Sequence, residues 1–274
     1  MYAGNGFSAF DYCTLVGMLV VSSGIGFYIA YKGNKSPEEF LMGNRILKTI
    51  PVSMSLLTSF TNAMNILGFT GEVYANGMQI STIAIGPPLA ILFSSYFILP
   101  VIFPLRLTSI NEYVELRFKS KRLRFFIFSL MIVNILVNGG IILYAPTLAL
   151  SAITKLSTLT CILILGTVCT LYSSFGGIRA VVWTDVFQLL VMIIGLVAVM
   201  AVGCAQNGGF FETINIASEG GRLEIFNMSL SPFVRHTFFN TIAQGFFWSL
   251  RVYSADQVYI QRICAVKTFE NARR

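Results

Sequence analysis

The sequence predicts an all-helical protein that crosses a membrane several times. Hydrophobic residues make up 55% of the chain and charged residues 11%, whereas an ordinary soluble domain carries about 25% charged residues. Apolar runs of about 20 residues, the length that a helix needs to cross a hydrocarbon core, recur along the whole chain. We therefore expect residues 1–274 to form one transmembrane domain embedded in a lipid bilayer.

Seven apolar runs are bounded by charged residues or by Gly and Pro clusters. The first run has no basic segment before it and no Ala-x-Ala pattern after it, so we interpret it as a retained helix rather than a signal peptide. The predicted spans are 10–31, 50–74, 80–103, 125–153, 157–175, 180–204 and 237–258.

The basic residues predict the orientation of these spans. With the N-terminus outside, one lysine and two arginines fall in outer loops, one arginine falls inside a span, and fifteen cations fall in inner segments. Positive residues near span ends are retained on the cytoplasmic side, so we expect an extracellular N-terminus and a cytoplasmic C-terminus. The inner cations are Lys32, Lys35, Arg45, Lys48, Arg106, Arg117, Lys119, Lys121, Arg122, Arg124, Arg179, Arg262, Lys267, Arg273 and Arg274. The outer cations are Lys155, Arg222 and Arg235.

The same orientation places the sequon Asn227-Met228-Ser229 outside, which makes Asn227 a candidate for glycosylation. The net charge of +7 comes from loop residues rather than from one soluble face, so we expect no nucleic-acid partner.

No motif for enzyme chemistry appears. The sequence contains no Walker loop, GxGxxG, HExxH, CxxC or GxSxG, so we predict no catalytic residues, no enzyme activity and no organic cofactor. The five cysteines lie in or beside apolar runs without the spacing of metal ligands, which favours a role as small apolar packing residues.

The second predicted span is unusually polar. Seven hydroxyl and amide residues interrupt it between positions 53 and 65, and Gly68 and Gly71 follow. Such groups are costly in hydrocarbon unless they have partners. This pattern favours a discontinuous helix whose free carbonyls coordinate a cation near the bilayer midplane. The alternative is a continuous helix that uses its hydroxyls to pack against other helices.

Two further segments carry charges close to or within spans. Residues 174–188 contain a Gly176-Gly177 turn that permits positive φ, and Asp185 lies about two helical turns beyond it. Asp185 could meet a cation or could form a structural ion pair with Arg179.

The second of these segments is the last span and its inner end. Arg251 lies well inside this span, where it could bind an anionic substrate, pair with Asp256 or Asp185, or reach the inner interface. Asp256 itself could pair with Arg262.

These segments resemble the sodium/solute symporter family. Gly-Gly-x-Arg-Ala-Val-x-Trp-Thr-Asp-x-x-Gln within 174–188 looks like its signature, and Asp256-Gln257 with Gln261-Arg262 looks like a second motif. Residues 67–74 look most like the monocarboxylate, multivitamin and iodide branch, from which Phe69-Thr70-Gly71 departs. The resemblance implies a leading helix and two inverted five-helix repeats. This chain would carry the leading helix, the first repeat and the first helix of the second, as a truncated gene model or partial isoform would.

The resemblance also implies residue roles. The backbone carbonyls of Thr58 and Thr61 would contribute to an incomplete sodium site, and Asp185 would lie on the path of the ion. Asn65 and Tyr253 would face the substrate, and Arg251 departs from the small or aromatic residue expected there, which suggests an anionic substrate.

The implied function is sodium-coupled symport of a small organic solute such as a monocarboxylate or vitamin, by alternating access in the plasma membrane. Two alternatives remain open. A seven-helix receptor fits the span count, although Asp-Arg-Tyr after the third span and Asn-Pro-x-x-Tyr in the seventh are absent. The chain could also be a non-transporting assembly partner.

Overall fold

The computed structural model describes residues 8–31, 36–154, 156–231 and 233–273. Within these residues regular structure is helical, apart from one isolated parallel bridge between Leu47 and Val266. Four of the cations that set the predicted orientation, Lys32, Lys35, Lys155 and Arg274, lie outside the described residues.

Thirteen α-helices are found in the described part of the chain. In order they are α1 Ala9–Tyr31, α2 Pro37–Met42, α3 Thr49–Phe60, α4 Ala63–Asn76, α5 Gly86–Phe93, α6 Leu99–Ile102, α7 Ile110–Phe118, α8 Lys121–Ile153, α9 Thr158–Gln206, α10 Phe210–Glu219, α11 Phe238–Ala255, α12 Gln257–Cys264 and α13 Phe269–Arg273. The tighter 3₁₀ form occurs at Gly43–Arg45, Met78–Ile85 and Phe103–Leu105, and the wider π form at Ser94–Ile98.

Four helical segments of the described chain are long and apolar enough to cross a membrane. They are Ala9–Tyr31, Met78–Leu105, Lys121–Ile153 and Ser173–Gln206. Two shorter apolar helices, Thr49–Phe60 and Thr158–Leu171, correspond to parts of the second and fifth predicted spans. The structure is therefore that of an all-helical membrane protein, as the composition predicts.

The fifth and sixth predicted spans are joined without a loop. Helix α9 consists of two helical segments that meet at a kink, and the non-helical residue at the kink is Gly177, with φ 61° and ψ −164°. A Cβ at this position would lie 2.7 Å from the carbonyl oxygen of Phe40 in α2. The predicted positive φ thus occurs at Gly177, because both the backbone conformation and the close approach of α2 require glycine.

The helices group into two compact units. The first contains the described residues within 1–64, 111–189 and 261–267, and the second those within 65–110, 190–260 and 268–274. In the first unit, Ile178, Val182 and Ala265 form a small buried cluster against which Leu47 packs.

In the second unit, α11 packs closely on α5 and on the 3₁₀ segment before it. A Cβ on Gly245 would lie 2.3 Å from the carbonyl oxygen of Ile83, and one on Gly86 would lie 2.3 Å from the backbone nitrogen of Phe246. Both glycines are therefore needed for the two backbones to approach each other.

The polar connection predicted at 205–236 contains a helix that the sequence pattern does not reveal, α10. The connection is also fixed to the chain after α4, because the Met78 amide donates to the Arg222 carbonyl at 2.8 Å and the Asn227 amide to the Gln79 side chain at 2.7 Å. Its end is the N-cap Thr237, which forms a reciprocal capping box with Asn240 at the start of α11.

The cysteines occupy different environments. Cys161 and Cys264 are buried, while Cys13 and Cys169 are exposed. Burial raises the pKa of the Cys264 thiol to about 11, so this thiol stays protonated and serves as a small packing group.

Candidate functional site

The second predicted span is interrupted, as its polar sequence predicts. Helix α3 ends at Phe60, Thr61 leaves helical geometry with φ −91° and ψ 71°, and α4 begins at Ala63. The last carbonyls of a helix lack the intrahelical N–H partners that earlier turns have, and they carry a partial negative charge. The end of α3 therefore presents backbone oxygens of the kind that can bind a cation.

The two threonines at this break use their hydroxyls locally. The Thr61 hydroxyl donates to the Leu57 carbonyl at 2.9 Å, and the Thr58 hydroxyl donates to the Met54 carbonyl at 2.8 Å. The Thr58 hydroxyl also lies 3.1 Å from the backbone carbonyl oxygen of Asp185 in α9. This contact positions the last turn of α3 against α9.

Asp185 is the centre of a buried polar cluster in the first unit. Its Oδ2 accepts a hydrogen bond from the fully buried hydroxyl of Ser55 at 2.6 Å and lies 3.2 Å from Nη2 of Arg262. A carboxylate taken out of water needs such partners. The ion pair and the serine together supply them.

Arg262 joins three helices at this cluster. It is 7% exposed, and from α12 it donates through Nη1 to the Ser55 carbonyl at 3.0 Å and to the Ser59 hydroxyl, both in α3. Together with its ion pair to Asp185 in α9, these bonds connect α3, α9 and α12. A planar guanidinium with several donors suits this role better than an ammonium would.

Of the two alternatives for Asp185, the ion pair with Arg179 is wrong. Arg179 instead pairs with Glu39 at 2.8 Å and donates to the Gly43 carbonyl at 3.2 Å. The two residues are six positions apart. Their side chains therefore point in directions about 120° apart around the helix, and they are separated by about 9 Å along it. Arg179 thus faces α2, while Asp185 faces α3.

The expected pairing of Asp256 with Arg262 is also wrong. Asp256 lies between α11 and α12, where its Oδ1 accepts a hydrogen bond from the backbone amide of Val258 at 2.9 Å. This is a capping interaction at the start of α12. The partner of Arg262 is Asp185 in α9. This pairing could not be predicted from the distance between residues in the sequence.

Three of the predicted substrate and ion residues belong to the second unit, namely Asn65, Arg251 and Tyr253. Asn65 is half-buried near the start of α4. Tyr253 is half-buried on α11; its ring packs edge-on against Tyr259 at 5.5 Å, and its carbonyl accepts from Ser94. Thr58, Thr61 and Asp185 belong to the first unit.

Arg251 lies on the exposed face of α11. Phe247, one turn earlier, is 68% exposed, whereas Ser249 and Val252 on the other side are buried. Within the described residues Arg251 makes no ion pair, so the pairing with Asp256, one of the alternatives from the sequence, is wrong. Its guanidinium is therefore available to a group outside the described chain.

Asn227 and a charged cluster of Glu72, Arg235 and His236 lie in the second unit. Asn227 is exposed, and its side-chain oxygen accepts from the Ser229 amide at 3.1 Å. The sequence analysis missed the ion pairs of Glu72, which accepts two bonds from Arg235 at 2.7 and 2.8 Å and lies 2.8 Å from Nε2 of His236. The adjacent basic residues Arg235 and His236 were the feature of the sequence that could have predicted a carboxylate partner.

Comparison with known proteins assigns these features to one family. The family model described as "Sodium:solute symporter family" matches residues 40–274. The chain belongs to the sodium:solute symporter family. This is a family of transporters rather than enzymes, and its membership confirms the resemblance carried by the segment 174–188 and by the Gln261-Arg262 motif.

Curated symporters of this family cover nearly all of the chain. It is 39% identical over 269 residues to sodium-coupled monocarboxylate transporter 2 of Mus musculus, with 97% of this chain and 43% of the relative aligned. It is 38% identical over 264 residues both to sodium-coupled monocarboxylate transporter 1 of Homo sapiens and to the sodium-dependent multivitamin transporter of Oryctolagus cuniculus. Those alignments cover 96% of this chain and 43% and 41% of the relatives. The chain therefore spans less than half of their length.

The symporter fold is shown by a solved structure. A sodium-coupled sialic acid symporter in a substrate-bound, outward-open state matches with a TM-score of 0.87 and 24% sequence identity, over 97% of this chain and 55% of that one. The predicted symporter fold, represented here by about half of its length, is confirmed.

Proposed function

We propose that this chain forms part of a sodium-coupled symporter that moves a small organic anion, such as a monocarboxylate or a vitamin, by alternating access. The observation that carries the proposal is the break between α3 and α4, where a helix ends among hydroxyl residues and offers backbone carbonyls. Broken helices with this chemistry hold coupling ions in secondary transporters. The relatives named as sodium-coupled transporters support the same function.

Sodium would be bound in part by the backbone carbonyls of Thr58 and Thr61. Two oxygens make an incomplete site, because a hard cation takes further oxygen ligands. The chain spans 43% of the length of the monocarboxylate transporters it matches. We therefore propose transport only for a protein that also contains the remaining part of the symporter fold. Asp185, packed against the Thr58 turn, would lie on the path along which the ion leaves.

The substrate would bind near Asn65, Arg251 and Tyr253. Arg251 supports an anion, because an arginine within an apolar helix is costly without a negative partner and this one has none among the described residues. The carboxylate of a monocarboxylate matches the planar fork of a guanidinium.

The test is uptake of labelled pyruvate, biotin, iodide and glucose by cells expressing the complete transcript, in sodium and in choline. We expect sodium-dependent uptake of at least one carboxylate, and Arg251→Gln to lower it by more than tenfold at low substrate concentration, because a charged hydrogen bond to the substrate is lost. Sodium-dependent uptake of glucose alone, unaffected by Arg251→Gln, would contradict an anionic substrate.

We propose that the protein lies in the plasma membrane with its N-terminus outside and its C-terminus inside. The proposal is supported by the distribution of cations around the seven predicted spans. Exposure of Asn227 in the connection before α11 suits glycosylation on the outer side.

Treatment with an N-glycosidase tests this orientation. We expect the wild-type chain expressed in animal cells to lose mass on treatment, and the Asn227→Gln variant to run at the deglycosylated mass without treatment. Ser231→Ala, a matched change outside the sequon, should leave the mass shift intact. Equal mass with and without the enzyme for the wild type would contradict an outer position of this segment.

The sequence left two alternatives open, a seven-helix receptor and a non-transporting assembly partner. Membership of a symporter family removes support for a seven-helix receptor. A non-transporting assembly partner is supported by the exposed face of α11 that carries Phe247 and Arg251. Stable expression of the 274-residue chain without a partner would count against this alternative, because an assembly partner needs a second protein to cover that face.

A further inference from the structure

A dense group of cations lies between α7 and α8. Four of the six residues from 117 to 122 are basic, namely Arg117, Lys119, Lys121 and Arg122, and all four are exposed. We call these four residues the 117–122 patch. They are held close together by a turn in which Lys119 adopts a positive φ of 50°.

The four cations of this patch form no ion pairs within the described part of the chain. None of its four side chains forms an ion pair with a described residue, whereas Arg45, Arg179 and Arg262 in the same unit each pair with a carboxylate. The neighbouring acid, Glu115, is paired with Arg124. Retention of positive residues on the cytoplasmic side explains why cations lie near a span end. It does not explain why four cations without ion pairs lie within six positions of one another.

Large aromatic side chains flank the patch. Phe118 is 62% exposed, Phe125 70% and Phe126 60%. Arg117 and Phe118 end α7, while the other two rings stand in the first two turns of α8, which is apolar and long enough to cross a membrane. Exposed aromatic rings beside unpaired cations match the boundary between lipid headgroups and acyl chains.

We propose that the 117–122 patch binds the headgroups of anionic phospholipids in the inner leaflet. The phosphate oxygens would accept hydrogen bonds from the arginines and lysines, while Phe118, Phe125 and Phe126 contact the upper acyl chains. Clustered cations at the cytoplasmic end of a span attract anionic lipid in this way. Lys121 and Arg122 also stand in the first turn of α8, where cations are unfavourable without a compensating anion.

The inference rests on the proposed placement of α8 across the membrane, and it does not depend on transport. The test therefore measures lipid binding to the purified 274-residue chain rather than uptake. The chain is held in an uncharged detergent and titrated with phosphatidylcholine, phosphatidylserine or phosphatidylinositol 4,5-bisphosphate, and native mass spectrometry counts the bound lipids. Inorganic phosphate is titrated in parallel.

Matched lysine pairs make the test specific. Lys119→Gln/Lys121→Gln removes two cations from the patch, and Lys48→Gln/Lys267→Gln removes two exposed cations elsewhere in the same unit. We expect the patch variant to bind the anionic lipids about thirtyfold more weakly than wild type, from about fivefold for each lysine. The control variant and Lys119→Arg/Lys121→Arg should bind as wild type does.

Three results would overturn the proposal. The first is equal affinity of the wild type for phosphatidylcholine and the anionic lipids. The second is an equal loss in the patch and control variants, which would indicate general charge attraction. The third is binding of inorganic phosphate as tight as that of lipid, with the same dependence on Lys119 and Lys121, which would indicate a site for a soluble anion. A helical circular dichroism spectrum is recorded for each variant. If the glutamine pair fails to fold, the single variant Lys119→Gln, expected to bind the anionic lipids about fivefold more weakly, keeps the test decisive.

Discussion

Arg262→Gln is expected to destabilise the protein more than any other single change of charge among the described ion pairs. The Arg262 side chain is 9% exposed and pairs with Asp185, whose side chain is 14% exposed. Removing one partner of a buried pair leaves an uncompensated charge, at a cost of about 3–5 kcal/mol. The loss would appear as a lower midpoint in thermal unfolding followed by fluorescence-detected size-exclusion chromatography.

Two further variants locate the cause. Asp185→Asn/Arg262→Gln removes both charges and should recover part of the lost stability, because no lone charge remains buried. Arg124→Gln breaks an exposed pair with Glu115, at side-chain exposures of 44% and 27%, and should cost less than about 1 kcal/mol. A double variant no more stable than Arg262→Gln alone would show that the cluster does not act as an ion pair.

Gly245→Ala is expected to separate α11 from α5. The added Cβ would lie 2.3 Å from the Ile83 carbonyl oxygen and 3.0 Å from the Ile83 side chain, and a backbone carbonyl cannot move aside as a flexible side chain can. Overpacking of this kind costs about 1–3 kcal/mol, and here we expect the upper end. The same thermal assay would report it, together with a lower yield of monodisperse protein.

Gly195→Ala is the matched control, since a Cβ there meets nothing within 4 Å. In a helix this change is favourable by about 0.5–1 kcal/mol, so the control should be neutral or slightly stabilising. If Gly245→Ala were as stable as Gly195→Ala, the close approach of α11 to the segment around Ile83 would be disproved.

The sequence predicted those features that depend on local chemistry. Hydroxyl and amide residues in the second span predicted a broken helix, and α3 does end at Phe60 before α4 begins at Ala63. The glycine pair in the signature predicted a positive φ, which occurs at Gly177. In the first case the residue types alone indicate the cost of placing polar side chains in hydrocarbon. In the second they indicate where a positive φ carries little cost.

The partners of charged residues could not be predicted in the same way. Asp185 was expected near Arg179 because both lie in one segment, yet its partner is Arg262 from α12. Which helix faces which carboxylate is decided by packing between residues 77 positions apart in the sequence, and helical periodicity contains no information on it. The two motifs that carried the family resemblance turn out to be joined by this ion pair.

The buried cluster also suggests how the candidate sodium carbonyls are kept in position. Ser55 and Ser59 of α3 bond to Arg262 or Asp185, and Thr58 lies between them on the same helix, in contact with α9. A helix end held by several charged and hydroxyl groups keeps its carbonyls in a fixed geometry, which lowers the cost of ordering them around an ion.

Accumulation of solute in proteoliposomes is the decisive measurement for the proposed coupling of solute movement to sodium. The complete transcript product is reconstituted, and labelled pyruvate is supplied outside with either an inward sodium gradient or the same concentration of choline. We predict accumulation above the external concentration only with the sodium gradient, followed by loss of the accumulated solute when the gradient dissipates. Equal entry in sodium and choline for pyruvate, biotin, iodide and glucose would contradict sodium-coupled symport.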